Sequence, residues 1–363
     1  MKINTLTLAN YRNYSNQTFK LNDGLNVFVG KNAQGKTNAL EGIYFCAIGK
    51  SLRVNKDKNL INFEKEESKI TLEVKKEFSK VKLEVYLSKK AKKTIKINGI
   101  PIKKMGELMG EFNAVFFSPD ELKLVKDAPE DRRRFMDIDI SQTNKAYFYA
   151  LNKYAKILAN RNKLLKDSKD FSQVKDTIDI WDRMLAQEAA KIVLKRIEFL
   201  EKLTPYAQKA HAYLTENAEN LELEYAGETG KTKEEIEEKI LKKLKTNFEK
   251  DFSLGFTSVG PHRDDIKIKL NNIDVRSYAS QGQQRTCALS LKLAELEIMR
   301  QTTGEAPVLL LDDVLSELDA SRKQKLLKFT NKYQTILTCT EFEFDNITHT
   351  KFEISQGSLK QNK

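Results

Sequence analysis

Gly30-Lys31-Asn32-Ala33-Gln34-Gly35-Lys36-Thr37 decides how this chain is read. It matches G-x-x-x-x-G-K-[ST], the spacing of a phosphate-binding loop, and its flanks supply the strand and helix that such a loop joins. Leu25, Val27, Phe28 and Val29 form an apolar strand before it; Leu40, Ile43, Tyr44, Ala47 and Ile48 recur at helical spacing after it. The glycines let successive backbone N–H groups turn inward around the β- and γ-phosphates of a nucleotide, and the helix start adds the positive end of its dipole. Lys36 reaches the terminal phosphates, Thr37 offers a hydroxyl to Mg²⁺, and Asn38 completes the candidate binding segment. An ordinary glycine turn would leave Lys36 without a role.

A second stretch, Val308-Leu309-Leu310-Leu311-Asp312-Asp313, reads as a buried parallel strand ending in two carboxylates. Parallel strands place ligands at their carboxyl ends and Mg²⁺ favours oxygen, so a phosphate-loop ATPase needs such a strand. Asp312 is the metal-side acid. Asp313 faces the other way, as the candidate to hold or deprotonate an attacking water while Lys36 and the loop amides absorb negative charge. Capping of Val314-Leu315-Ser316 is the plainer use of the pair. Ser280-Gln281-Gly282-Gln283 adds a helix start with hydroxyl, amides and glycine, suited to a γ-phosphate. Since one loop already encloses the triphosphate, this second start implies a nucleotide shared between two copies of the chain, with ATP holding them together.

Alternation at Ile3, Leu6 and Leu8, at Phe19 and Leu21, and at Val27 and Val29 predicts three short strands before the loop. The turn Tyr11-Arg12-Asn13-Tyr14 returns to the nucleotide if the first two strands pair; Arg12 then either touches phosphate or remains a surface residue. Segments 70–74, 81–87 and 94–97 predict an antiparallel meander with one wet face, and 113–117 a buried strand closed by Ser118-Pro119-Asp120. From 129 to about 203, and again at Ile236, Ile240, Leu244 and Phe248, apolar residues recur at helical spacing, with Arg196 as an interruption. None of this sustains the heptads of a long coiled coil. Strands are expected at 256–259 and 266–270 around Gly260-Pro261-His262-Arg263-Asp264-Asp265, where His262 is either a turn organiser or a catalyst. The expected fold is α/β: an ATPase head made of residues 1–128 and 251–363, carrying the antiparallel meander and a mainly helical inserted lobe, 129–250.

The chain has 363 residues, 40% hydrophobic and 31% charged, with a net charge of +12 and a pI near 9.2. That balance favours a polyanionic partner, nucleic acid before membrane, unless it only reflects a lysine-rich proteome. No apolar run approaches the roughly 20 residues of a membrane span. Cys46, Cys287 and Cys339 are too scattered for a disulfide framework or a structural zinc site, and the first residues lack a signal-peptide core, so a reducing cytoplasm is expected. Lys89, Lys90, Lys92 and Lys93 form the densest basic run, either a DNA contact or a solvated hairpin; Arg132, Arg133 and Arg134 are the alternative track.

Taken together these motifs resemble the RecF family, bacterial DNA-repair ATPases of the ABC type, a group that includes the SMC-like proteins. The resemblance covers essentially the whole chain. It rests on 8–14, the phosphate loop, 127–137, 260–265, Ser280 to Gln283, Asp312-Asp313 and Ser316-Glu317-Leu318-Asp319. It implies an ABC-type head without a long coiled coil, and an ATP- and Mg²⁺-dependent homodimer in which Ser280, Gln281, Gly282 and Gln283 act across the interface beside Asp319. It further implies binding of single-stranded and duplex DNA at gap junctions, help to RecO and RecR in loading RecA, a role in the SOS response, and no membrane partner.

Two departures from the ABC pattern imply slow hydrolysis. Thr335 to Thr340 lacks the histidine common after this strand, and Ser118-Pro119-Asp120 stands where a glutamine is expected. Asp313, in place of glutamate, reaches a water less well. A transporter ATPase subunit shares the three ATP elements but not the insertions, the basic balance or the missing histidine; a nuclease partner would need an added cluster of acids.

Overall fold

The computed structural model describes residues 1–168, 170–344 and 346–360. The chain runs β1 (Lys2–Tyr11), β2 (Tyr14–Lys20), β3 (Leu25–Val29), α1 (Lys36–Ile48), β4 (Glu67–Lys75), β5 (Lys80–Ser88), β6 (Thr94–Ile97), β7 (Ile100–Pro101) and β8 (Ala114–Phe117). Then follow α2 (Lys123–Lys126), α3 (Pro129–Thr143), α4 (Lys145–Asp167), α5 (Phe171–Thr215), β9 (Leu221–Ala226), α6 (Lys233–Thr246) and α7 (Phe248–Leu254). After these come β10 (Asp265–Leu270), β11 (Ile273–Asp274), α8 (Val275–Tyr278), α9 (Gln281–Thr303), β12 (Val308–Asp312), α10 (Ala320–Thr330), β13 (Thr335–Cys339), β14 (His349–Ser355) and β15 (Ser358–Leu359).

Among the described residues the strands form three sheets. The antiparallel meander has the order β2-β1-β4-β5-β6-β7; alternate residues such as Ile70, Leu72 and Val74 are buried and their neighbours are not, as one wet face requires. The second sheet, β15-β14-β3-β13-β12-β8, is parallel from β14 to β8 and carries the all-buried runs of β12 and β13. Helix α1 lies between these two sheets, touching β1, β4 and β5 on one side and β12, β13 and β8 on the other. That is why its apolar residues are spread around the helix rather than confined to one face.

The helical segments pack on α5, whose 45 residues reach about 67 Å at 1.5 Å per residue. Arg196 does not interrupt this helix. Its buried guanidinium pairs with Asp137 at 2.8 Å and donates to the carbonyl of Pro261 at 2.7 Å, so a charged residue occupies the inner face without breaking the period. The strand expected at 256–259 is absent from the described structure. There Thr257 is tied by side-chain hydrogen bonds to Arg161 and Asn162, which replaces a ladder with a buried polar network. The strand that pairs with β10 is instead β9, through Asp265 opposite Ala226 to Leu270 opposite Leu221. No helix among the described residues is long and apolar enough to cross a membrane.

Candidate functional site

The loop after β3 is shaped by backbone that few residues tolerate. Gly35 has φ +113°, and a Cβ there would meet the Asn13 side chain at 2.7 Å; a Cβ on Gly30 would meet the carbonyl of Ile354 on β14 at 2.3 Å. Both positions therefore exclude any larger side chain. Ala33 is also left-handed, at φ 64°. Lys36 opens α1 and turns back, donating to the carbonyl oxygens of Gly30 and, at 2.9 Å, Lys31. Burial lowers its pKa; Asp313 first, then Cys339 and Asp312, oppose that shift.

Thr37 Oγ1 donates to Asp312 Oδ1 at 2.8 Å, and Thr338 Oγ1 donates to the same oxygen at 2.7 Å. Strand order explains the second contact, because β13 runs between β3 and β12 and Thr338 stands opposite Asp312 in the parallel pairing. Burial raises the Asp312 pKa, while the two hydroxyls pull it down. A hydroxyl beside a carboxylate is a hard oxygen pair of the kind that suits Mg²⁺ completed by phosphate and water. Asp313 sits just beyond the strand at φ 53°, its N–H bound by Thr338. A non-glycine residue in this conformation costs free energy, a cost common at functional sites. Thr37, Asp312 and Asp313 line one wall of a cavity of about 610 Å³, whose other wall includes Ser118 and Asp120.

Ser280 caps α9 reciprocally: its hydroxyl accepts from Gln283 N–H, and the Gln283 side chain accepts from Ser280 N–H. Ser280 and Gln281 are exposed, so the start of this 23-residue helix faces solvent, with Gly282 in its first turn. Asp319 caps α10 and pairs with Arg322.

Other expected residues are placed differently. The Tyr11 to Tyr14 turn does lie on the loop, but Arg12 commits its guanidinium to Glu41 of α1 through two 3.1 Å bonds. The loop is touched instead by Asn13, which donates to the carbonyl of Gln34 at 2.9 Å, and by Tyr14, whose hydroxyl donates to that of Gly35 at 2.9 Å. From the far end of the chain, Gln356 and Gly357 N–H groups also bind Gln34. The lysine run is not free of acids in space: Lys89 and Lys90 meet Glu66, and Lys93 meets Asp57 at 2.9 Å. Arg132 is buried and paired with Asp265, which makes it a structural residue rather than a DNA contact. Arg133 donates to the Asp264 carbonyl, and Arg134 is exposed. His262 bridges the Tyr154 hydroxyl and the Thr257 carbonyl, the geometry of a turn organiser.

Comparison with known proteins agrees with this architecture. The RecF/RecN/SMC N terminal domain family matches residues 2–358. A protein of Alkaliphilus oremlandii (strain OhILAs), called DNA replication and repair protein RecF, is 49% identical over 348 residues and 94% of each chain. Two solved structures of the recombination mediator protein RecF in the RecFOR pathway, described as RecF-ATPrS and RecF-ATP, superpose with a TM-score of 0.92 each. They are 38% and 37% identical, covering 99% of this chain and 97% of theirs. This chain belongs to the RecF family, within the wider group of RecF, RecN and SMC heads.

Proposed function

We propose that this chain is an ATP-dependent DNA-binding mediator of recombinational repair. The observation that carries the reading is the junction of Lys36, Thr37 and Asp312, where a loop cation, a hydroxyl and a buried carboxylate converge at the ends of β3 and β12. ATP phosphates would displace the carbonyl contacts of Lys36 and take its ammonium as counter-charge. Mg²⁺, held by Thr37 and Asp312, would neutralise phosphate charge there.

Asp313 is assigned as base: it accepts a proton from the attacking water as the bond from the γ-phosphorus to the bridging oxygen breaks, giving ADP and phosphate. The exposed start of α9, with Ser280, Gln281, Gly282 and Gln283, docks on the γ-phosphate of a second copy, and Asp319 lies in the contacting loop. Dimers formed with ATP then bind DNA at gap junctions and act with RecO and RecR in the cytoplasm. The relatives' descriptions, RecF-ATP in the RecFOR pathway, support ATP as the nucleotide and a role in recombination.

The deciding experiment is equilibrium binding of a fluorescent ATP analogue to Lys36→Ala. Affinity should fall at least roughly tenfold, since the loop loses the ammonium that folds back over its carbonyls. Unchanged affinity in a folded variant refutes the site.

A further inference from the structure

Two basic clefts flank the carboxyl end of α1, the helix that begins at the phosphate loop. The first, of about 590 Å³, is lined by Lys58, Lys89, Lys92, Lys93, Lys103 and Lys104, with Asp57 the acid on its wall and Glu66 paired to Lys89 beside it. Lys93 is the anchor, donating to the Gly49 carbonyl at 2.7 Å and pairing with Asp57. Among the described residues Lys58, Lys92, Lys103 and Lys104 make no salt bridge, so repulsion among them is relieved only by solvent ions or an anionic ligand.

The second cleft, of about 510 Å³, opens on the other side of Gly49. Lys50, Arg133 and Arg134 stand over apolar and aromatic walls that include Ile48, Phe148 and Leu151. Its acids are Glu130 and Asp137, and Asp137 is already neutralised by Arg196. Lys50 lines this second cleft, and Lys93 of the first binds the carbonyl of Gly49, the residue before it. Desolvation first, then repulsion from Arg134 and, more weakly, from Lys93, lowers the Lys50 pKa against the pull of Asp137.

We propose that these clefts form one channel for an unpaired DNA strand, with a base seated among Ile48, Phe148 and Leu151 and the adjoining phosphates carried by Lys50, Arg134 and the lysine cleft. Cationic walls with an aromatic floor are how single strands are held irrespective of sequence, and cavities of this size admit a nucleotide rather than a duplex. The proposal rests on the reading of this chain as DNA-binding, and it places that strand at the far end of the helix whose start is the nucleotide loop.

The test is fluorescence anisotropy with a labelled oligothymidylate and, separately, a blunt duplex of the same length, on the full chain with Mg·ATP across a salt series. Lys50→Glu should weaken oligothymidylate binding at least tenfold while leaving duplex and ATP affinity unchanged. The exposed pair Lys103→Gln and Lys104→Gln, which leaves the folded core alone, should flatten the single-strand salt plot by about 0.7 per lost contact. Parental single-strand affinity in both variants overturns the channel. An equal loss on duplex overturns the single-strand assignment and makes the clefts a duplex track. If the parent chain binds neither DNA, the DNA reading itself fails.

Discussion

Thr37 and Asp312, 275 residues apart in sequence, share a hydrogen bond of 2.8 Å at the head of the parallel sheet. The contact makes the loop and β12 one unit, so a defect in either partner is felt by both. Asp312→Asn keeps an acceptor for Thr37 but removes the charge a divalent cation needs. Its ATP affinity should lose most of its Mg²⁺ dependence, at least roughly tenfold, when titrated with and without EDTA. Retained Mg²⁺ dependence would move the cation to other oxygens.

Asp313 pays for its position with a left-handed backbone. Asp313→Gly should therefore abolish phosphate release while raising stability by about 1 kcal/mol in urea unfolding. Asp313→Asn, which keeps the strain, should also be inactive and should accumulate as an ATP-bound dimer in sedimentation. Normal turnover in both variants removes the base assignment.

Ser280 stands exposed at the start of α9, away from any packing role beyond its own cap. Ser280→Arg should leave monomer ATP binding intact and prevent ATP-driven dimers, read by light scattering, because bulk and charge would fill the surface proposed to receive the partner's phosphate. A variant that dimerises like the parent contradicts a shared site.

Two neighbours in the Gly260 to Asp265 turn oppose each other in pH. Burial first of all depresses the His262 pKa to about 4 and raises that of Asp264 to about 6. His262 favours the folded chain when neutral, so its contribution is lost as pH falls from 6.5 towards 4. Asp264 favours it when protonated, so its contribution is gained as pH falls from 6 towards 3.8. The two nearly cancel. Asp264→Asn should expose the histidine and make stability drop on acidification by on the order of 2–3 kcal/mol; His262→Gln should give the opposite slope. Denaturant midpoints between pH 4.5 and 7 decide it.

Local signals carried much of this structure into the sequence. The loop, β12 and the capped start of α9 are each recognisable from a contiguous run of residues. What the sequence hid is set by tertiary pairing. Glu66 and Asp57 neutralise lysines from outside the basic run, Glu41 claims Arg12, and Thr338 reaches Asp312 only because β13 lies between two strands distant in sequence. β9 is short and half polar, and its alternation becomes meaningful only opposite β10. Arg196 looked like a break in a helix because a lone sequence does not reveal that Asp137 waits for it inside.

Gln34 is held on two sides, by Asn13 from the first hairpin and by Gln356 and Gly357 from the last. A Cβ on Gly357 would sit 2.1 Å from the Asn13 carbonyl, so the two ends of the clasp close directly on each other. During synthesis the phosphate loop is made early, yet half of its clasp follows more than three hundred residues later, at about 5–20 residues per second. A ribosome-bound chain halted before residue 356 therefore carries the loop sequence without its finished shape. The loop therefore gains these contacts only after all five parallel strands, β3, β8, β12, β13 and β14, have been made.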